Sequence, residues 1–432
     1  MKRVAFYTLG CKVNQYETEA MEELFKNRGY EIVSNREEAD IYIINTCTVT
    51  NLGDRKSRQF IRRAKKMNED SIIAAVGCYS QVAPEEVEAI DGVDIVVGTT
   101  DRNRIVDLCE EAKSKNKKIN VVKDIKYHKE FEPLNISDLP YKTRAYIKIQ
   151  EGCNQFCSYC IIPYARGPIR SRDLEDIIME AKRLAKAGFK EIILTGIHVT
   201  SYGKDLKGLS LTDVIEEVAK IDGIERIRLS SIEPTFVDKD FLERVVKTGK
   251  LCDHFHLSLQ SGSDSVLKRM NRKYTTKEYR DIVKLIREYM PEAGITTDII
   301  VGFPGETDEE FEESYRFVED IRFSRIHVFK YSPRKGTPAS QFKEQIPGDI
   351  KQIRSDRLIR LGDELMEEFH KAFIGRTLEL LLEEEKDGFI EGYTTNYIRV
   401  KVKGHNDLQG KILPVRISGQ EEDFLIGEIE EF

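Results

Sequence analysis

The stretch Cys153-Asn154-Gln155-Phe156-Cys157-Ser158-Tyr159-Cys160 sets three thiols at the spacing C-x-x-x-C-x-x-C. It follows Arg144 to Gln150, where Ala145, Ile147 and Ile149 alternate with Tyr146 and Lys148, the period-two pattern of a strand. The thiols therefore belong to a loop leaving the carboxyl end of a strand, where α/β barrels and open sheets carry their chemistry. Three soft thiolates in eight residues suit zinc or an iron-sulfur cluster, and a structural zinc site is closed by four ligands. The nearest histidines, His128 and His198, are not at finger spacing, so the pattern favours a centre with one metal position left for a reagent over a zinc knuckle.

Working outward, the chain has 432 residues, enough for two or three domains, and 40% hydrophobic content supports real cores. No stretch approaches 18 apolar residues, and Met1-Lys2-Arg3 followed by Val4 to Leu9 is too short for a signal-peptide core, so a cytoplasmic protein with no membrane contact is expected. Eight cysteines over this length are too few for a secreted disulfide framework. A net charge of −7 excludes a globally basic nucleic-acid binder but not a locally basic one.

Toward the amino terminus, apolar runs at Val4–Leu9, Ile41–Thr46, Ile72–Gly77 and Ile95–Val97 alternate with helical patterns at Glu17–Arg28, Asp54–Met67, Pro84–Ile90 and Arg104–Ala112, which predicts a parallel sheet with covering helices. Cys11 follows the first run by two residues, and Cys47 and Cys78 directly follow the second and third. Thiols at the carboxyl ends of three parallel strands converge on the ligand-binding edge of an open α/β fold and could share a second metal centre, although a buried cysteine is ordinarily just a core residue. Cys109 and Cys252 lack such placement and are expected to be unligated.

These motifs carry a resemblance. The triplet, with Tyr159 before its last cysteine, resembles the signature of radical S-adenosylmethionine enzymes. Gly10-Cys11-Lys12-Val13-Asn14, Asn45-Thr46-Cys47, Gly77-Cys78 and Ile161 to Arg172 resemble the methylthiotransferases of that superfamily over essentially the whole chain. Gly10 to Asn14 most resembles the branch acting on threonylcarbamoyladenosine in tRNA. The resemblance implies two 4Fe-4S clusters, on Cys11, Cys47 and Cys78 and on Cys153, Cys157 and Cys160, with S-adenosylmethionine as the other cofactor. It further implies that S-adenosylmethionine cleaved at the second cluster gives a 5′-deoxyadenosyl radical, while the first cluster holds the sulfur that is methylated and transferred. A sulfur donor and a reductant such as a flavodoxin or ferredoxin are implied partners beside tRNA; no individual catalytic side chain is implied.

From Arg144 to Ser332 strands read at Arg144–Gln150, Glu191–Thr195, Arg226–Ser230, His254–Leu259, Thr297–Val301 and Arg325–Lys330, with helices between. Asp173 to Gly188 carries a clear stripe of Leu174, Ile177, Ile178, Ala181, Leu184 and Ala185, and Thr275/Glu278 and Thr307/Glu310 read as capping boxes. Six strand–helix units predict an incomplete barrel with a lateral opening. Its loops are expected to bind S-adenosylmethionine through Thr195, Gly196, Ser230, Glu233, Gln260 and Gly302, with Tyr159 beside the triplet; Thr195-Gly196-Ile197 stands where the superfamily usually has Gly-Gly-Glu. Glu306 is equally suited to capping its helix. Arg166, Arg170 and Arg172 are read as contacts to a substrate carboxylate or phosphate, or as partners of rim acids.

The helix after Cys47 offers Arg55, Arg58, Arg62 and Lys66 on one face, a possible phosphate track or simply a solvated surface. Lys113–Lys118 and Lys123–Lys129 read as a charged connector, with Pro133 and Pro140 marking the approach to the next domain. Beyond a helix from about Asp349 to Phe373, five short strands, Thr377–Leu382, Gly388–Thr394, Ile398–Val402, Lys411–Ile417 and Phe424–Ile429, predict a small β-barrel resembling the TRAM domain. From Gly375 onward seven Lys and Arg face thirteen Asp and Glu, so RNA contact there needs Arg399, Lys401 and Lys403 gathered on one side.

The reading is therefore α/β: an open parallel α/β amino-terminal domain (1–120), a partial (βα)6 radical S-adenosylmethionine barrel (139–370) and a small TRAM-like C-terminal β-barrel (372–432). Rival substrates within the family are isopentenyladenosine in tRNA and a ribosomal-protein aspartate; a threonylcarbamoyl carboxylate calls for a basic pocket, an isopentenyl group for an apolar one. From another class, the chain could be an RNA-binding protein with structural or redox-sensing clusters.

Overall fold

The computed structural model describes residues 2–134, 136 and 143–430, so Pro140 and the expected start of the second domain at 139 lie outside the described residues. The amino-terminal module comprises β1 (Arg3–Thr8), α1 (Lys12–Asn27), β2 (Glu31–Val33), β3 (Ile41–Thr46), α2 (Asn51–Met67), β4 (Ile72–Gly77), α3 (Cys78–Val82), α4 (Pro84–Glu88), β5 (Ile95–Val97), α5 (Ile105–Lys115) and β6 (Ile119–Asn120). The strands form one parallel sheet, β2-β1-β3-β4-β5-β6. The order reverses between β1 and β3, which opens a crevice at their carboxyl ends. Cys11, Cys47 and Cys78 follow the adjacent strands β1, β3 and β4. Both faces of the sheet are covered, which explains the unbroken apolar runs; Val4, Ile43, Val76 and Ile95 fill one side, Ile44, Ile61, Ile73 and Val96 the other.

The chain reading missed β2 and β6, two or three residues each, and began α1 five residues late. α1 starts at Lys12, and its first turns bury Asn14, Glu17, Thr18 and Glu19 beside Val13, Tyr16 and Ala20, so the apolar stripe there is interrupted by a buried polar face. The charged connector also differs from expectation: Ile125, Leu134 and Ile136 are buried, and Tyr16 Oη donates to the Leu134 carbonyl. Cys109 and Cys252 are buried.

The central module holds β7 (Arg144–Glu151), α6 (Ile162–Arg166), β8 (Arg170–Ser171), α7 (Leu174–Lys186), β9 (Glu191–Gly196), α8 (Leu211–Ala219), β10 (Arg226–Leu229), α9 (Lys239–Lys247), β11 (His254–His256), α10 (Asp264–Arg269), α11 (Thr276–Tyr289), β12 (Gly294–Val301), α12 (Asp308–Ile321), β13 (Arg325–Lys330) and α13 (Gly348–Lys371). Six parallel strands run β7-β9-β10 and β11-β12-β13, and isolated bridges Ile227–Leu251 and Ile232–Leu257 join the two arcs. Among the described residues no ladder joins β7 to β13, so the barrel is open on that side, and α1 packs against β7 and β9. The outward strand faces and the helices share one core, with Ile147, Ile149, Leu194, Ile227 and Ile299 essentially dry, each contributing about 1.5–3 kcal/mol. Both capping boxes form as read.

The last five strands, β14 (Thr377–Lys386), β15 (Phe389–Tyr393), β16 (Arg399–Lys403), β17 (Ile412–Glu421) and β18 (Phe424–Ile429), close into a barrel ordered β14-β15-β16-β18-β17. Its β15–β16 turn lies against the amino-terminal mouth of the central barrel. There Arg226 donates to the Tyr393 carbonyl (3.1 Å), Arg228 donates to the carbonyls of Thr394 (3.0 Å) and Thr395 (2.9 Å), and the Tyr397 ring stacks on His254 at 4.5 Å.

Candidate active site

Two thiol groups form on neighbouring modules. In the first, Cys11, Cys47 and Cys78 lie close enough to influence one another electrostatically. Glycine is required at Gly77, where φ is +95° and a Cβ would sit 2.5 Å from Asn45 Oδ1 and 2.8 Å from the Thr46 carbonyl oxygen. This turn throws Cys78 onto the first residue of α3. Burial pushes the Cys78 thiol up to about 12 and raises Cys47 as well.

In the second, β7 is followed by Gly152 (φ +73°), whose missing Cβ allows the Pro168 carbonyl oxygen to approach. The loop is then tied down by the Ser158 amide donating to the Met270 carbonyl (3.0 Å), Ala339 to Ser158 (2.8 Å) and Asn271 to Phe156 (3.0 Å). Burial raises Cys153 to about 11 and Cys160 to about 12, with the neighbouring Cys157 adding to both. Protonated, desolvated thiols of this kind are discharged by a metal that replaces the protons. Among the described residues no three His, Cys, Asp or Glu side chains are arranged to hold a single ion. A four-iron cluster takes each cysteine on a different iron, so trios that are mutually close without converging on one point fit it better than they fit zinc.

Two buried guanidinium groups, only one of them singled out in sequence, serve these thiols. Arg272 Nη1 donates to Cys157 Sγ (3.5 Å) while Nη2 holds Glu233 (2.9 Å). Arg166, at the end of α6, is fully buried: Nε donates to Cys78 Sγ (3.2 Å), Nη1 to Glu17 (2.6 Å) and Glu151 (3.1 Å), and Nη2 to Asn14 (2.6 Å). Arg102 and Lys148 complete the cluster: Arg102 Nη1 lies 2.5 Å from Glu17, its Nη2 2.8 Å from Glu132, and Lys148 pairs with Glu17 and Glu151. Burial alone would raise the Glu17 carboxyl, but Arg102, Arg166 and Lys148 outweigh it and bring it down to about 2. Because the Cys153 amide donates to the Gly167 carbonyl (3.0 Å), Cys78 and Cys153 are linked by two hydrogen bonds through Arg166-Gly167.

Of the two readings of Arg166, Arg170 and Arg172, substrate contact or pairing with acids, their contacts favour the second for Arg166 and Arg172. All three are buried; Arg170 donates to the carbonyls of Arg166 and Pro168, and Arg172 pairs with Glu180. Their place is the seam between modules.

At the carboxyl ends of β9 and β10, Thr195 Oγ1 and Ser230 Oγ are buried without a hydrogen-bond partner, which fits a polar ligand such as S-adenosylmethionine bound beside them. Glu233 is fixed there by Arg272 and by His198 Nε2 (3.3 Å). Tyr159 packs with Met270, Phe303 and Tyr331. Gly196 adjoins Gln150, Gln260 takes φ +74° to bridge β12, and Gly302 is open to Lys351, whose Cγ a Cβ would meet at 2.3 Å. Glu306 accepts from the amides of Gly302 (2.7 Å) and Phe303 (3.1 Å) and pairs with Arg354, so it braces the turn before α12, whose cap is Thr307.

On the C-terminal barrel Arg399, Lys401 and Lys403 line one face of β16, but Arg399 and Lys401 are both drawn to Glu391 (2.8 and 3.3 Å), leaving Lys403 outermost. Arg55, Lys56, Arg62 and Lys66 of α2 are exposed, whereas Arg58 turns back to Tyr79 and Glu86. No helix among the described residues is long and apolar enough to cross a membrane.

A half-open six-stranded barrel presenting three thiols beyond its first strand defines a radical S-adenosylmethionine enzyme. Residues 147–318 match the Radical SAM superfamily, and residues 3–98 match the family described as Uncharacterized protein family UPF0004. In fold, the radical S-adenosylmethionine methyltransferase TsrM from Kitasatospora setae, solved with cobalamin and a [4Fe-4S] cluster, is similar at a TM-score of 0.58 and 14% identity, covering 79% of this chain and 77% of that one. In sequence, the chain is 46% identical to the threonylcarbamoyladenosine tRNA methylthiotransferase MtaB of Bacillus subtilis (96% of this chain, 94% of that protein) and 44% identical to that of Aquifex aeolicus (96% and 100%). It is 38% identical to the tRNA-2-methylthio-N(6)-dimethylallyladenosine synthase of Bacillus subtilis (98% and 84%). The chain belongs to the methylthiotransferase family of radical S-adenosylmethionine enzymes, which work with S-adenosylmethionine and [4Fe-4S] clusters.

Proposed function

We propose that this chain transfers a methylthio group to carbon 2 of the purine of threonylcarbamoyladenosine beside the anticodon of tRNA. The observation that carries the reading is the two-hydrogen-bond link between Cys78 and Cys153, which ties the two thiol trios to each other across the modules. Cys11, Cys47 and Cys78 would hold one cluster and Cys153, Cys157 and Cys160 the other. When bound, these groups supply a transferable sulfur and the reductive cleavage of S-adenosylmethionine. The residues do the rest: Arg166 and Arg272 each direct a hydrogen bond at one thiol, Thr195 and Ser230 offer free hydroxyls to the cofactor, and Glu233 is held ready by Arg272 and His198. For the threonylcarbamoyl branch, the relatives at 46% and 44% identity bear that name, while both names occur at 37–38%. The reading also places the protein in the cytoplasm with tRNA, a low-potential reductant such as a flavodoxin or ferredoxin, and a sulfur donor.

The test is nucleoside mass analysis of tRNA from a strain lacking the gene. Loss of 2-methylthio-threonylcarbamoyladenosine, with its precursor accumulating, is expected; loss of the isopentenyl analogue instead would transfer the chain to the other tRNA branch. Anaerobic reconstitution is expected to give about eight irons per chain and 5′-deoxyadenosine on reduction, whereas about four irons or none favours an RNA-binding role.

A further inference from the structure

Lys12, the residue after Cys11, is half-buried, and its side chain forms no hydrogen bond or ion pair among the described residues. Its ammonium lies within electrostatic range of Arg144, Glu191, Arg228, His254 and Tyr397, so it reaches from the amino-terminal module into the lumen of the central barrel. The other charges there are already matched. Glu191 holds Arg228 at 2.7 Å, Glu383 holds Arg144 at 3.0 Å, and Asp298 lies 3.3 Å from His256. A second observation points to a missing ligand: the Nδ1 of His254, a side chain only 6% exposed, has no partner although its ring lies on Tyr397 at the floor of the lumen. Burial by itself would raise the Tyr397 phenol, yet Lys12, Arg144 and Arg228 together bring it below its ordinary value, the mark of a positive potential.

Resting on the function proposed above, we infer that Lys12 is a specificity-determining residue: its ammonium, with the His254 imidazole below it, receives the carboxylate of the threonylcarbamoyl group inside the barrel lumen. A desolvated cation with no internal counter-charge favours an anionic substituent and disfavours an apolar one of similar length.

The test uses the reconstituted full-length enzyme and anticodon stem-loop RNA carrying threonylcarbamoyladenosine either as the free acid or as its methyl ester, which removes only the charge. A hydrogen bond to a charged group predicts that the unsubstituted enzyme binds the acid about 10- to 100-fold more tightly than the ester. Lys12→Met should bind both as the unsubstituted enzyme binds the ester, and Lys12→Arg should recover part of the difference. Equal affinity of the unsubstituted enzyme for acid and ester overturns the inference, and this needs no variant to fold; undiminished discrimination in Lys12→Met removes the role from Lys12. Failure to methylthiolate the free-acid RNA at all defeats the proposed function, whereas equal turnover of acid and ester defeats only this inference.

Discussion

Replacing Arg166 by Met tests whether the buried charge cluster holds the amino-terminal module on the barrel. Three carboxylates, Glu17, Glu132 and Glu151, face three cations, Arg102, Lys148 and Arg166, and all six side chains are at most 8% exposed. Methionine roughly preserves volume but leaves one buried negative charge uncompensated and cuts the bonds to Asn14 and Cys78. Removing one partner of a buried pair costs about 3–5 kcal/mol, far more than a surface bridge. The chain contains no Trp, so anaerobic urea unfolding of the apoprotein is best followed by far-UV circular dichroism. An early transition should split off at lower urea as the modules part before they melt. Adding Glu17→Gln restores the charge balance and should recover about 1–3 kcal/mol, the coupling typical of residues in one network. If Arg166→Met lies within about 1 kcal/mol of the parent, or the double variant is no more stable than the single one, the cluster does not join the modules as described.

Cys47→Ala should abolish thiolation while leaving reductive cleavage of S-adenosylmethionine, and Cys157→Ala should abolish cleavage outright; equal loss of both activities in Cys47→Ala would contradict the division of labour. Gly77→Ala forces a Cβ into the space of Asn45 and Thr46 at φ +95°, a strain of about 1–3 kcal/mol, and should lower reconstituted iron from about eight toward about four by displacing Cys78; full iron loading would refute the crowding. His370, buried at the end of α13, has its pKa lowered to about 4 from an ordinary 6.5 chiefly by burial, with Arg325 adding and Asp423 opposing. Its folded pKa lies below its unfolded one, so stability is complete above about pH 6.5 and falls by about 3 kcal/mol in all as the pH drops through 4. His370→Asn should flatten that limb of an unfolding-midpoint profile, and an unchanged slope would show that another group titrates.

The two thiol trios could be read from the chain because their signal is local: Cys47 and Cys78 directly follow apolar runs, Cys11 comes two residues after another, and Cys153, Cys157 and Cys160 share one loop after a strand. Leu174–Lys186 was equally plain, with its cap Asp173 and its stripe within one helix. What the sequence hid depends on partners far along the chain. α1 looked irregular at its start because Asn14 and Glu17 are satisfied by Arg166, about 150 residues later. Arg166, Arg170 and Arg172 resembled an anion site only while their counter-charges and the carbonyls they fix were out of view. Arg272 carried no signal, since nothing beside it in sequence indicates Cys157 or Glu233.

The Tyr393–Tyr397 turn makes the C-terminal barrel a stopper as well as a possible handle for RNA. A chain cut after α13 would leave Arg226 and Arg228 with unmet donors around an uncorked tube, and water would flood the compartment from below. Inactivity of such a shortened chain would therefore say as much about a leaking reaction chamber as about lost grip on nucleic acid.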